Sequence, residues 1–332
     1  MRESVVTKLA RSTVRSCLKP VLQPTFPVLV QRQWANIATR TLSVPFGVRF
    51  SQSSLECVPT EIVRSKSNAR SEGAVLFVHG GAFMIGSPVS HRSITGRLAR
   101  HTGATIFVPD YRLAPEHPFP AALDDVFTSY RALLAQGYPP ERIAIAGDSA
   151  GGGLTLSLCL RLRSEGLAQP ACVVVISPWA DLTLTRLAPV ADDALLRAAW
   201  LNQGAAAYLK GHIACDPLVS PLLADLTGLP PTMVQAASEE ILRDDSRRLT
   251  EALSLYGVAV THREFPHMWH DFQLYAGLVP EATQAVDDIA QFISGKIVNP
   301  MASGRLKFVC TVTSVMKSDP EVSLQTEQVR FN

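Results

Sequence analysis

The sequence predicts an α/β fold in which helices flank a mostly parallel sheet, and three observations support this. The chain has 332 residues, 47% apolar and 18% charged, which is enough to bury a large core. From about Val58 onward, short branched apolar runs alternate with amphipathic stretches, as is typical of a parallel sheet. The longest unbroken apolar run, Ala171 to Ile176, has six residues, far fewer than the roughly 20 of a membrane-spanning helix.

The predicted elements follow this alternation along the chain. Strands are predicted at 74–78, 104–108, 142–146, 172–176, 232–237 and 258–265. Helices are predicted at 91–102, 121–136, 150–165, 243–256 and 281–294. Residues 178–230 contain several prolines and do not alternate cleanly, so loops and short helices are expected above the carboxyl edge of the sheet. After Lys296 the pattern fails, and the tail 297–332 has no predicted structure.

The first 40 residues are unusually basic, with a charge of +6 against −4 for the rest of the chain. Val6, Ala10 and Val14 begin an apolar face at helical spacing that continues through Leu18 and Val21. This predicts an amphipathic helix closed by Pro20, followed by a second helix around Trp34. A lid packed on the main body is the favoured interpretation, and an organelle presequence or a membrane-surface anchor are the alternatives.

Charge and cysteine usage exclude several classes of protein. The net charge is only +2, which gives no general field for nucleic acid. The six cysteines contain no C-x-x-C pair, so neither a metal site nor a disulfide framework is predicted. Reduced thiols in a cytoplasmic protein are expected.

A candidate nucleophile lies in Gly147-Asp148-Ser149-Ala150-Gly151, between a predicted strand and a predicted helix. The pattern G-x-S-x-G between a strand and a helix predicts a nucleophile elbow. The chain bends so sharply there that side chains two residues before and two residues after the serine would collide, so both positions are glycine. The bend lifts the Ser149 hydroxyl out of the sheet at the positive end of a helix. A glycine turn that merely spaces strand from helix is the simpler alternative.

A second glycine motif, His79-Gly80-Gly81-Ala82, directly follows the predicted strand 74–78. Attack of a serine on an ester creates an oxyanion, which pre-aimed backbone N–H groups stabilise. Glycines let the main chain approach that oxygen closely. The predicted oxyanion donors are therefore Gly80 and Gly81, with Ala150 as the third. A structural glycine turn is the alternative, and His79 is expected to hold this loop by hydrogen bonds.

Four sequence blocks together resemble the hormone-sensitive-lipase-like carboxylesterases, also known as bacterial family IV esterases. The blocks are H-G-G-A-F at 79–83, Y-R-L-A-P-E-H-P-F-P-A-A at 111–122, G-D-S-A-G-G at 147–152 and D-P-L-V-S-P-L at 216–222. The resemblance covers about residues 10 to 296. It implies an α/β-hydrolase fold with an eight-stranded sheet, an N-terminal helical cap at 1–50, and a catalytic domain at 51–296 with a cap-like insertion near 178–215.

The catalytic base is expected in a loop after the last strand, because chain order in this fold is serine, acid, histidine. His267 and His270 both lie there, in Phe265-Pro266-His267-Met268-Trp269-His270. In the family the catalytic histidine follows a methionine and an aromatic residue, so the resemblance implies His270. His267 is then a pocket-rim or surface residue, and the remaining histidines, His91 among them, are expected on the surface or in packing.

Four carboxylates crowd after the predicted strand 232–237, and one should orient the histidine. They are Glu239, Glu240, Asp244 and Asp245. The family motif places the acid at Glu240, where most relatives have aspartate followed by proline. Asp244 and Asp245 begin a predicted helix, where negative charge is favourable for structural reasons.

The resemblance implies a serine carboxylesterase that hydrolyses short- to medium-chain acyl esters without a cofactor. An amidase or deacetylase on the same scaffold and a non-catalytic ligand-binding protein are the alternatives. The expected partner is a small-molecule ester, with no nucleic acid and no stable membrane insertion. Relatives often dimerise through an edge strand, which corresponds here to 258–265.

Overall fold

A computed structural model of the protein describes residues 4–67, 72–190 and 193–297. Eight strands form one sheet: β1 (Val48–Leu55), β2 (Val58–Ser65), β3 (Ala74–Val78), β4 (Thr105–Pro109), β5 (Ile143–Asp148), β6 (Cys172–Ile176), β7 (Thr232–Ala237) and β8 (Val260–Phe265). The α-helices are α1 (Val5–Thr13), α2 (Val28–Thr39), α3 (Arg92–Thr102), α4 (Ala121–Ala135), α5 (Ser149–Ser164), α6 (Ala198–Leu209), α7 (Arg243–Leu255) and α8 (Pro280–Ile297).

The sheet has the order β1-β2-β4-β3-β5-β6-β7-β8. The pairs β1–β2 and β2–β4 are antiparallel, and the strands from β4 through β8 are parallel. Within the described residues, no helix is long and apolar enough to cross a bilayer.

Two apolar layers cover the two faces of the sheet, which explains why its central strands read as unbroken apolar runs. Successive side chains of β3 point to opposite faces of the sheet. Leu76 and Val78 pack in one apolar layer, and Val75 and Phe77 pack in the other. Helices α4, α5 and α7 pack on the first face and α3 and α8 on the second. This rigid framework holds the loops at the carboxyl ends of the parallel strands, where the candidate site residues lie.

Strand β1 is a difference from the sequence prediction, which begins the alternation at about Val58. The eight residues of β1 are mostly polar and half-exposed because the strand lies at a sheet edge, so they carry no apolar alternation. The domain boundary drawn at residue 50 falls inside this strand. The helical segment therefore ends at Thr39 and the sheet begins at Val48.

The predicted N-terminal helix is present as α1 and a following π-helical turn, Val14–Leu18. Ala10 and Val14 on its predicted apolar face are buried, whereas Val6 is 41% exposed. The helix around Trp34 is α2. Helix α6 lies within the predicted insertion near 178–215. Residues 298–332, for which the sequence predicts no structure, lie outside the described residues.

Candidate active site

The strand β5 leads directly into α5 through the bend at Ser149. Ser149 has a φ of 51°, a left-handed conformation that side chains rarely adopt. A Cβ at Gly147 would lie 2.5 Å from the carbonyl oxygen of Gly151, and a Cβ at Gly151 would lie 2.0 Å from that of Val78. The two glycines are therefore required by close backbone approach, as the elbow pattern predicts.

Ser149, His270 and Glu240 form one continuous hydrogen-bonded chain. The Oγ of Ser149 is 3.0 Å from Nε2 of His270, and Nδ1 of His270 is 2.7 Å from Oε2 of Glu240. The other carboxylate oxygen, Oε1, accepts the N–H of Ala237 at 2.9 Å. Glu240 follows β7 and His270 follows β8, so neighbouring strands bring together residues that are 30 positions apart.

The electrostatics of this chain favour one tautomer of His270. A carboxylate oxygen only accepts hydrogen bonds, so the short contact to Glu240 assigns a proton to Nδ1. In the neutral ring Nε2 then accepts from the Ser149 hydroxyl, and in the protonated ring the Nε2 proton also faces the Asp271 carboxylate. Burial lowers the pKa of His270, but the carboxylates of Asp271 and Glu240 outweigh burial and raise it well above its ordinary value. The arrangement can take a proton from Ser149 and stabilise the resulting imidazolium.

The oxyanion loop corrects one prediction. The N–H of Gly80 donates to Oδ1 of Asp148 at 3.0 Å, so the structure contradicts the prediction that Gly80 is an oxyanion donor. A Cβ at Gly80 would lie 2.3 Å from Oδ2 of the same aspartate. Gly80 is thus a glycine because it packs on the Asp148 side chain. Within the described part of the chain, the N–H groups of Gly81 and Ala82 have no hydrogen-bond partner.

His79 anchors this loop from the sheet side, in the manner that the sequence predicts. Its Nδ1 is 2.9 Å from the carbonyl oxygen of Gly80, and the hydroxyl of Tyr111 donates to the His79 carbonyl at 2.7 Å. The two rings stack with centroids 4.3 Å apart. Burial, with a further contribution from His91, lowers the pKa of His79 to about 3, so its ring is neutral at physiological pH and donates from Nδ1.

A second buried histidine–carboxylate pair lies beneath the elbow. Nε2 of His91 is 3.0 Å from Oδ2 of Asp148, and both side chains are buried. Burial opposes protonation of His91, but Asp148 raises its pKa above the ordinary value. The sequence interpretation of His91 as a surface or packing residue missed this pair, although Asp148 stands inside the G-D-S motif.

The remaining predicted candidates lie away from the Ser149 hydroxyl. Asp245 accepts the N–H groups of Ala180 and Asp181, each at 3.0 Å, and so fixes a loop as well as opening α7. Asp244 pairs with Arg243 at 3.2 Å. These contacts agree with the structural interpretation of both aspartates.

Comparison with known proteins identifies the family. A family model described as alpha/beta hydrolase fold matches residues 75–274. An acetyl-hydrolase from Streptomyces hygroscopicus is 43% identical over 68% of this chain and 77% of its own length. The putative acetyl-hydrolase LipR of Mycobacterium tuberculosis is 34% identical over 85% of this chain and 95% of its own.

A crystal structure described as an esterase from the bacterial hormone-sensitive lipase family superposes with a TM-score of 0.84. It is 34% identical in sequence, and the match covers 90% of this chain and all of that one. The chain belongs to the bacterial hormone-sensitive lipase family. Membership in this α/β-hydrolase family places it among the carboxylic ester hydrolases.

In this hormone-sensitive lipase family member, a cavity of about 90 Å³ opens onto the Ser149 hydroxyl. Besides the loops that carry Gly80, Ser149 and His270, its mostly apolar lining comes from two segments, the N-terminal segment and the region around α6. The lining residues from these segments include Leu18, Leu22, Ala35, Leu195, Leu196 and Trp200. Both regions that the resemblance implies as cap therefore face the site.

Sequence reasoning about the family motifs missed Asp271, which also lines this cavity. Its Oδ2 is 3.1 Å from Nε2 of His270, the same nitrogen that faces Ser149. Burial raises the pKa of Asp271 to about 6, against the opposing effect of His270. The signal available in the sequence was its position directly after the candidate base.

Proposed function

We propose that the chain is a serine carboxylesterase that hydrolyses short- to medium-chain acyl esters through an acyl-enzyme intermediate. The supporting observation is the buried chain Ser149–His270–Glu240, with contacts of 3.0 and 2.7 Å. A serine hydroxyl is a weak nucleophile at neutral pH, and a hydrogen-bonded base activates it. Positioned proton transfer of this kind contributes about 10²- to 10⁴-fold in rate.

In the proposed reaction, His270 takes the Ser149 proton as Oγ attacks the ester carbonyl carbon. Glu240 holds the Nδ1 proton and stabilises the imidazolium. The tetrahedral intermediate collapses, the alcohol leaves with the proton from Nε2, and the acyl group remains on Oγ. Water then attacks the acyl-enzyme by the same route and releases the carboxylic acid.

The proposed oxyanion donors are Gly81, Ala82 and Ala150. Gly81 and Ala150 are donors that the sequence predicts, and Ala82 replaces Gly80 because the Gly80 N–H donates to Asp148. Positive φ angles of 122° at Gly81 and 52° at Ala82 turn this loop sharply. Ala150 belongs to the first turn of α5, whose positive end favours the developing charge.

The cavity supports the proposed preference for short and medium acyl chains. Its volume of about 90 Å³ is small compared with pockets that bind drug-sized ligands. A panel of p-nitrophenyl esters of increasing acyl length should therefore give the highest kcat/KM at acetate to hexanoate and lower values beyond. An optimum at palmitate would contradict this part of the proposal.

The central experiment replaces the nucleophile. Ser149→Ala should lower kcat for p-nitrophenyl butyrate at least about 10³-fold, because no hydroxyl remains to form the acyl-enzyme. Ser164→Ala, at the exposed end of the same helix, is the matched control and should keep wild-type turnover. Circular dichroism should show both variants folded. Near wild-type turnover by Ser149→Ala would overturn the serine mechanism.

Two alternatives on the same scaffold are tested in parallel. An amidase or deacetylase would cleave a matched anilide as fast as the ester. A non-catalytic ligand-binding protein would bind the ester without turnover, and the hydrogen-bonded position of His270 argues against this class. Comparing turnover of the butyrate ester with turnover of the butyranilide therefore distinguishes the carboxylesterase, the amidase and the non-catalytic binding protein.

The proposal also covers the oligomeric state of the protein and its location in the cell. In the part of the chain that the structure describes, strand β8 lies at an edge of the sheet with no further strand beside it, and we propose a homodimer through this edge. Within the described residues, Cys17, Cys57, Cys159, Cys172 and Cys215 are free thiols, which supports a cytoplasmic location. Sedimentation of the protein alone tests the dimer.

A further inference from the structure

The carboxylate of Asp271 lies beside the nitrogen of His270 that faces Ser149. Oδ2 is 3.1 Å from Nε2 of His270, and the Ser149 Oγ is 3.0 Å from the same nitrogen. Asp271 is only 7% exposed and lines the cavity. The base therefore has two neighbours on its reactive side, the nucleophile and a carboxylate.

The other oxygen of Asp271 has an unused hydrogen-bonding capacity. Within residues 4–67, 72–190 and 193–297, buried Oδ1 has no hydrogen-bond partner. A buried acceptor left unpaired costs about 1 to 3 kcal/mol, and such groups call for a ligand or a water. Because Asp271 lines the ester cavity, a small hydroxyl-bearing molecule in that cavity can supply a donor.

The backbone of Asp271 has an unusual conformation. Its φ of 54° is left-handed, which aspartate, asparagine and glycine tolerate better than other residues. It stands between buried His270 and the short helical turn Phe272–Tyr275, which begins directly after it. The carboxylate therefore lies at the junction between His270 and this turn.

We propose that Asp271 binds the second proton of the water that hydrolyses the acyl-enzyme, and so selects water over alcohols as the acyl acceptor. This inference rests on the proposed serine mechanism. A water molecule has two O–H groups, so one can point to Nε2 of His270 and the other to the Asp271 carboxylate. An alcohol has one O–H, and with that directed to Nε2 no O–H remains for the Asp271 carboxylate, so only water gains this second hydrogen bond.

The step balances without any further reactant. The water oxygen forms a bond to the acyl carbon, and the proton directed at His270 moves to Nε2. The bond between the acyl carbon and the Ser149 Oγ then breaks, and Oγ takes the proton from Nε2. The second water proton stays on the carboxylic acid product throughout, hydrogen-bonded to Asp271 until the product leaves.

The test measures how the acyl-enzyme divides between water and methanol. Wild-type enzyme and Asp271→Asn are given p-nitrophenyl butyrate with increasing methanol, and methyl butyrate and butyric acid are quantified by gas chromatography. A mildly alkaline buffer keeps Asp271 ionised, above its pKa of about 6. The ratio of ester to acid does not depend on the amount of active enzyme, so loss of folded enzyme alone does not change it.

We expect Asp271→Asn to raise the ester-to-acid ratio about tenfold, because a charged acceptor for the second water proton is lost. Asp271→Gly removes the side chain, suits the positive φ, and should raise the ratio at least as much. Asp225→Asn, a fully exposed aspartate in a surface turn, should leave the ratio unchanged.

Unchanged ratios in both Asp271 variants would overturn the proposal, and the glycine variant decides the matter if the asparagine variant does not fold. Failure of the serine mechanism itself is distinguishable. In that case wild-type enzyme would form no methyl butyrate and Ser149→Ala would keep its turnover.

Discussion

Two histidine–glutamate pairs bridge the same two loops, yet only one of them can serve the serine. His270 and Glu240 are 1% and 0% exposed, and their contact is 2.7 Å. His267 and Glu239, three positions and one position earlier, are 60% and 38% exposed, with a contact of 3.3 Å. The pairs share residue types and loop origins, and they differ in burial and direction.

The backbone sets this difference. The Glu239 N–H donates to the Met268 carbonyl at 3.1 Å, and the His267 N–H donates to the Ser238 hydroxyl at 2.8 Å. These bonds hold the loops after β7 and β8 side by side, with His270 and Glu240 turned into the protein and the other pair turned to solvent. Removal from water strengthens the electrostatic interaction of the inner pair, His270 and Glu240. Both histidines have a glutamate partner, so the burial of His270 is what makes it the base.

The largest expected difference comes from replacing the two histidines. His270→Ala should lower kcat/KM for p-nitrophenyl butyrate at least about 10³-fold, because the Ser149 proton loses its acceptor. His267→Ala should stay within about twofold of wild type, since its ring is solvated. Steady-state kinetics with both variants checks this. A larger loss from His267→Ala than from His270→Ala would exchange the roles of the two pairs.

The two glutamates should give the next largest difference. Glu240→Gln should lower kcat about 10²- to 10⁴-fold, because an amide favours the wrong tautomer of His270. Glu239→Gln and Asp244→Asn should change kcat less than about twofold. Should Asp244→Asn prove the more damaging change, the orienting acid would be at the start of α7 instead.

Glu240→Gln should also change the pH profile. Activity requires neutral His270 and is lost as pH falls through the pKa of that group. Burial lowers this pKa, while Asp271 and Glu240 raise it above its ordinary value. Removing the Glu240 charge should therefore lower the midpoint of the acid limb, so that the residual activity of the variant persists to lower pH than in the wild type. A midpoint that moves to higher pH would contradict the proposed charge on Glu240.

Sequence patterns could predict the parts of the molecule that depend on local chemistry. The parallel strands are unbroken apolar runs because both faces are covered, and the elbow glycines follow from one sharp bend. The role of Gly80 could not be predicted, because it depends on a hydrogen bond to Asp148, 68 positions away. Strand β1 was missed for a related reason, since its edge position leaves no apolar alternation to detect.

The smallest expected effect concerns the exposed pair His267 and Glu239, which contributes to the stability of the fold. Arg11 of α1 donates to Glu239 at 2.7 Å and also to the His267 carbonyl, so these residues tie the N-terminal helix to the loops after β7 and β8. All three are partly or largely exposed, and such pairs contribute at most about 1 kcal/mol. Glu239→Gln should therefore lower the free energy of unfolding by that amount or less in urea titrations.

This small loss should shrink further at high ionic strength, because salt screens exposed charges. His267→Ala is the matched control, since it removes the ring and leaves the backbone carbonyl that Arg11 contacts. A loss above about 3 kcal/mol from Glu239→Gln would be the magnitude expected for breaking a buried ion pair. It would mean that the outer pair is shielded from water like the inner one, and the contrast in burial that assigns the base to His270 would no longer hold.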